Sequence, residues 1–213
     1  MKNMIKAVIF DRDGTLFDTE KLYIDSWMRA IKECGGPLDD SVILGNIGIA
    51  YELAMKNLHD YYNDYDVEKI ISLKKQYVEE YISNNGYPLK PHCKAILQYL
   101  KDNNILIALA TSEKTNMAIE SLEKTGIIDY FSAIVGGDMV NCGKPAPDIF
   151  LKAASMLDLS PSCCMVVEDS KHGILGAKLG GFKTVYIPDM VKLDDLSKCD
   201  YVLNDLLEIK TLI

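Results

Sequence analysis

The sequence carries no basic tract. Lys and Arg number 23 against 31 Asp and Glu, for a formal net charge of −8, and that balance argues against a nucleic-acid backbone as partner. A phosphorylated small molecule stays compatible with it where local positive groups or a metal offset the repulsion. No apolar run reaches the roughly 18 residues of a membrane-spanning helix, so no membrane partner is expected. The first residues, MKNMIKAVIF, meet a charged aspartate after few apolar positions and read as a first strand rather than a signal peptide. Cys34, Cys93, Cys142, Cys163, Cys164 and Cys199 contain no C-x-x-C spacing. Reduced, mostly buried thiols in a soluble cytoplasmic protein are the expectation. The run G-x-x-x-x-G-K-[ST] is missing, which excludes a Walker-type nucleotide site. So is H-E-x-x-H, and His59, His92 and His172 are scattered, so each reads as structural. Internal repeats and low-complexity segments are absent too.

What is present fits a folded chain of one core with a sizeable insertion. The 213 residues are 48% hydrophobic, ample for a buried interior. Short apolar runs rich in β-branched residues predict strands at 4–10, 105–110, 133–136, 164–167 and 183–187, with a short sixth at 200–205. Helical patterns separate the later ones at 92–102, 114–125, 146–158 and 171–180. Such alternation predicts an α/β fold, a parallel sheet with helices on both faces. Almost a hundred residues lie between the first two strands, far more than one crossover needs. That gap reads as helix at 19–34, 39–45, 50–62 and 66–83, with GG and Pro37 ending the first. An inserted all-helical cap over 18–87 is expected, with 1–17 and 88–213 forming the core and connectors near 14–18 and 85–91.

Ligands of such sheets bind beyond the carboxyl ends of the strands. Asp11 and Asp13 follow the first strand, Thr111 and Ser112 the second, Glu168 and Asp169 the fourth, and Lys144 precedes helix 146–158. Singly, most have an ordinary reading. Asp13-Gly14 suits a turn, Thr111 and Ser112 suit a helix cap, and Asp169-Ser170 suits another. Together they converge on one sheet edge. Alternation along an extended chain turns Asp11 and Asp13 one way and Arg12 the other. Clustered carboxylates call for a divalent cation, and all-oxygen ligands suit Mg²⁺. One carboxylate can attack phosphorus, a second can carry protons, and Thr111 and Lys144 can hold phosphate oxygens.

These stretches resemble the haloacid dehalogenase superfamily in its phosphatase and β-phosphoglucomutase-like branch. DRDGTLFDTE (11–20) is similar to the signature D-x-D-G-T-x-x-D-T-E. LATS (109–112), GKPAPDIF (143–150) and VVEDSKHGILGAKLGG (166–181) resemble the second, third and fourth motifs, in order. The resemblance implies a Rossmann-like core with a helical cap after the first strand. It implies Asp11 as nucleophile and Asp13 as general acid/base. It also implies Mg²⁺ on the Asp11 side chain, the Asp13 carbonyl and Asp169, with Glu168 as ligand or support. Thr111, Ser112 and Lys144 would bind the phosphoryl group. Glu20, Tyr23 and Ile47 are the candidate flap and cap contacts to substrate.

The implied activity is hydrolysis of a small phosphorylated metabolite through an aspartyl-phosphate. A sugar phosphomutase and a non-catalytic phospho-ligand binder are the alternatives. Against the mutase, Tyr23 stands where those relatives carry a cap histidine, and GNIGIAYE (45–52) holds no basic residue. The apolar GNIGIA suggests a small or modestly charged leaving group. The motifs require no second chain, so a monomer is expected. Arg12 departs from the apolar residue usual there, and is expected either to pair with an acid behind the site or to reach the cap.

Overall fold

A computed structural model of the chain describes residues 4–46, 49, 51–190 and 192–213. The predicted strands form, all trimmed except the fourth, which gains Glu168. They are β1 (Ala7–Phe10), β2 (Leu106–Ala110), β3 (Ala133–Val135), β4 (Cys164–Glu168), β5 (Lys183–Tyr186) and β6 (Tyr201–Val202). All pair in parallel, in the order β3-β2-β1-β4-β5-β6. Strand order therefore reverses beside β1, between β2 and β4, and the crevice at that switch point is where such sheets take ligands.

Four helices follow the insertion: α5 (Cys93–Asp102), α6 (Thr115–Thr125), α7 (Asp148–Met156) and α8 (Lys171–Leu179). The pleat sends alternate residues to opposite faces. Val8 and Phe10 pack with Ile96 and Leu97 of α5 and Leu122 of α6. Ala7 and Ile9 pack with Phe150 and Ala153 of α7 and Ala177 of α8. Both faces of β1 are thus sealed, which is why its sequence is a continuous apolar run rather than an alternating one.

The insertion folds as α1 (Glu20–Glu33), α2 (Asp40–Leu44), α3 (Tyr51–Tyr61) and α4 (Val67–Asn85). It has an apolar cluster of its own, centred on Ala30, Ile31, Leu58, Tyr62 and Ile70. Asp39 and Asp66 cap α2 and α4 by accepting from Ser41 N and Lys69 N. The two connectors hydrogen-bond to each other, Asp18 N to Pro88 O at 3.0 Å and Lys90 N to Leu16 O at 2.9 Å. No described helix is long and apolar enough to cross a membrane. All six cysteines are free, but only Cys93 and Cys164 are buried and Cys142 is exposed. The expectation of mostly buried thiols is corrected: Cys34, Cys163 and Cys199 lie just outside the α-helices and strands and are half-buried, and Cys142 is on an exposed loop.

Candidate active site

Asp11 is the first residue beyond β1, and its N–H still donates to Val167 O of β4 at 3.0 Å. The chain then turns sharply. Leu16 N and Phe17 N both donate to Arg12 O at 2.9 Å, and Gly14 takes φ +77°. A Cβ on Gly14 would lie 2.1 Å from Asp169 Oδ2. Glycine therefore serves twice here, allowing the left-handed turn and letting it close on the acid beyond β4.

Lys144, whose peptide bond to Pro145 is cis, is buried beneath this turn. Its ammonium donates to Asp11 Oδ1 and, at 2.5 Å, to Glu168 Oε1. The other Glu168 oxygen accepts from Asp169 N, Ser170 N and Ser170 Oγ at 2.8–3.1 Å. Ser170 in turn caps α8 by accepting from Gly173 N at 3.0 Å. Thr15 Oγ1 donates to Asp169 Oδ1 at 3.1 Å. Burial pushes the Asp11 carboxyl up to about 7, with Lys144 opposing and Glu168 adding to the rise. It likewise holds Asp169 well above the ordinary range, helped by the charges of Glu168, Glu20 and Asp11. Burial works against the Lys144 ammonium too, but Asp11 and Glu168 overcome it and raise its value.

Arg12 does not line the cavity that Asp11 and Asp13 line. The Arg12 guanidinium is buried, lies 5.2 Å from the Phe17 ring and 5.8 Å from the Tyr87 ring, and donates to Ser121 Oγ at 3.1 Å. Its acid partner is Asp13, at 3.0 Å, not a carboxylate behind the site. The other Asp13 oxygen accepts from Thr19 Oγ1.

A cavity of about 240 Å³ lies between the sheet edge and the inserted helices. Asp11, Asp13, Thr111, Ser112, Lys144 and Asp169 line it, with Glu20 and Tyr23 from α1. Glu168 is drawn into the same cluster through Lys144 but does not reach the cavity wall. Ile47 lies outside the described residues. Thr111 and Ser112 do not cap α6, whose N-terminal Thr115 N donates instead to Asp138 Oδ1 at 2.7 Å. Thr15, Thr19, Ser170, Trp27 and Lys74 are the site residues that sequence reasoning left unassigned. The first two stand inside the quoted signature. Lys74 and Trp27 carry no local signal, since only helix packing decides which face of α1 and α4 meets the cavity.

Oxygens of Asp11, Glu168 and Asp169 lie within 4.8 Å of one another, as do those of Glu20, Asp169 and Asp189. Glu20 Oε2 and Asp189 Oδ2 are buried without a hydrogen-bond partner. Asp189 Oδ1 accepts from Lys90 at 2.5 Å, and Lys90 also meets Asp18. Buried carboxylates in excess of ammonium groups, two of them with orphaned oxygens, form an all-oxygen donor set that fits a hard divalent cation.

A parallel, Rossmann-like α/β core with this acid-lysine cluster at its switch point, roofed by inserted helices, defines a capped α/β protein with its site at the sheet edge. The chain belongs to the haloacid dehalogenase-like hydrolase family, whose model matches residues 8–187. A phosphorylated carbohydrates phosphatase of Thermotoga maritima is 32% identical over 188 residues, 85% of this chain and 84% of the relative. A beta-phosphoglucomutase of Bacillus subtilis is 34% identical over 188 residues, 85% of this chain and 82% of the relative. The crystal structure of a beta-phosphoglucomutase from Clostridium difficile matches with a TM-score of 0.79 at 26% identity, covering 97% of this chain and 93% of that one.

Proposed function

We propose that this enzyme is a Mg²⁺-dependent phosphatase that hydrolyses a small phosphorylated metabolite through an aspartyl-phosphate on Asp11. One observation carries the reading: Asp11, held by Lys144, shares a cavity with Asp13, Thr111 and Ser112. An Asp11 carboxylate oxygen attacks phosphorus and the ester P–O bond breaks. Asp13 acting in its acid form gives a proton to the leaving oxygen, and the alcohol departs. Water then attacks the phosphorus of the aspartyl-phosphate and loses a proton to the Asp13 carboxylate. The bond to Asp11 breaks, inorganic phosphate leaves, and both aspartates return to their starting states.

Thr111, Ser112 and Lys144 bind the phosphoryl oxygens and offset the charge that gathers there. Asp11, Asp169 and the Asp13 carbonyl would hold Mg²⁺, which supplies charge neutralisation at the phosphoryl group when bound. Both Glu168 oxygens already accept hydrogen bonds from the protein, so Glu168 serves as the brace that fixes Lys144 and the start of α8. The unpartnered oxygens of Glu20 and Asp189 would be available to accept hydrogen bonds beside a bound Mg²⁺.

A sugar phosphomutase must hold a bisphosphate intermediate. Lys74 is the single cation that the described part of the cap brings to the cavity, which favours hydrolysis. Release of phosphate from p-nitrophenyl phosphate with Mg²⁺ tests the reading. Absence of turnover, or turnover unchanged in Asp11→Asn, contradicts it. Conversion of β-glucose 1-phosphate to glucose 6-phosphate would establish the mutase instead.

A further inference from the structure

The cap side of the cavity is chemically lopsided. Tyr23, Ile24, Trp27, Met55 and Leu58 furnish an aromatic and aliphatic wall. Apart from Glu20, at the foot of α1, the polar groups that described cap residues bring to it are Asn46, Lys74 and the hydroxyls of Tyr23 and Tyr51. The one amide there, Asn46, is already occupied, since its Nδ2 donates to Val42 O at 3.0 Å and its Oδ1 accepts from Asn57 Nδ2 at 2.8 Å. Lys74 is the exception. Its ammonium sits 4.4 Å from the Tyr23 ring centre and 5.4 Å from that of Trp27, and no acid among the described residues lies within ion-pair distance. Its neighbour Lys75 points elsewhere and pairs with Glu79 at 3.8 Å.

Hydroxyls set against such a wall lose water and find few partners, chiefly the Tyr23 and Tyr51 hydroxyls, so a leaving group rich in them gains less there than a flat apolar one. Flat rings gain stacking and edge contacts from Tyr23 and Trp27. Resting on the phosphatase reading above, we infer that the substrate is a monophosphate ester whose leaving group is a largely apolar aromatic or heteroaromatic ring. That ring carries one electronegative group, which takes the free Lys74 ammonium.

The test compares benzyl phosphate, 4-carboxybenzyl phosphate and ribose 5-phosphate with Mg²⁺. All three are esters of primary alcohols, so leaving-group acidity is nearly matched. The inference expects kcat/KM for benzyl phosphate to exceed that for ribose 5-phosphate by about tenfold or more, and the carboxylate to add several-fold again. Trp27→Ala should shrink the first ratio while Trp27→Phe preserves most of it. Lys74→Met should shrink the second. Each ratio is taken on one protein preparation, so partial misfolding cancels.

Turnover with ribose 5-phosphate equal to or better than benzyl phosphate overturns the inference and leaves the phosphatase reading standing. If no ester is hydrolysed, the phosphatase reading fails, and binding decides the rest. Trp27 is the chain's single tryptophan, so its fluorescence reports ligands in this cavity. Tighter binding of benzylphosphonate than of inorganic phosphate supports the aromatic subsite, and equal or weaker binding removes it.

Discussion

Arg12 and Asp13, adjacent in sequence, form an ion pair at 3.0 Å inside the protein, and the same guanidinium is fixed by Ser121 on α6. Phe17 and Tyr87, one from each connector to the cap, flank it. One oxygen of the proposed proton carrier is thereby tied to the core and the other to Thr19, at the foot of α1.

Replacing Arg12 should act through Asp13. A hydrogen bond to a charged group contributes about 1.5–3 kcal/mol, so Arg12→Leu is expected to lower kcat roughly ten- to hundredfold with a smaller change in KM. Arg12→Lys can reach only one of the two anchors and should recover part of the loss. Steady-state kinetics on a generic phosphate ester measure both, with thermal melts confirming the fold. Unchanged kcat in Arg12→Leu would mean that the pair does not matter to the reaction.

Gly173 leaves room for Glu168. A Cβ there would lie 1.8–2.4 Å from the Glu168 carboxyl atoms, so Gly173→Ala must displace the brace beneath Lys144. Disturbing a buried ion pair on one side costs on the order of 3 kcal/mol. Urea denaturation should show a loss of that order, and phosphatase activity should fall with it.

Charge crowding at Asp169 predicts opposite effects on stability and activity. EDTA should abolish turnover and Mg²⁺ should restore it. In EDTA, Asp169→Asn should melt roughly 2–6 °C above the wild type, because one buried like charge is gone while the acceptor for Thr15 remains. Added Mg²⁺ should raise the wild-type melting temperature and leave the variant's almost unmoved. Differential scanning calorimetry with and without Mg²⁺ reads all three.

How much of this was legible beforehand differs from place to place. The β1 run signalled burial on both faces, and the sheet seals it so. Of the strand-end acids, hydroxyls and lysine, all but Glu168 meet in one cavity, because a parallel sheet brings its carboxyl ends together wherever the helices run. Arg12 was expected to pair with an acid behind the site or to reach the cap, but its partner is its own neighbour Asp13, a choice made by the tight turn at Gly14 rather than by any residue pattern. Glu168 was expected as a ligand or a support, and which partner it supports depends on Lys144 reaching it across 24 positions. Whether Lys74 or Lys75 meets the cavity is set by the packing of α4 on α1, which spacing along a single helix does not determine.

Acid stability should register Asp200. Burial raises its carboxyl, but hydrogen bonds from Thr184 N and Oγ1, with Lys178 and Lys183 nearby, outweigh that and leave it below the ordinary value. A folded value below the unfolded one means stability that is present above the unfolded pKa and lost as pH falls through the folded one. The stability difference between wild type and Asp200→Ala should therefore be constant above about pH 5 and shrink below about pH 4. Denaturation midpoints across that range measure it. A difference that grows on acidification would reverse the sign.

The central claim is that phosphorus passes through Asp11. Rapid-quench single turnover with Mg²⁺, followed by peptide mass spectrometry, tests it most directly. The account predicts one transient phosphoryl group on the peptide carrying Asp11, rising before free phosphate appears and absent in Asp11→Asn. A phosphoryl group on any other residue, or full turnover with none formed, would contradict it.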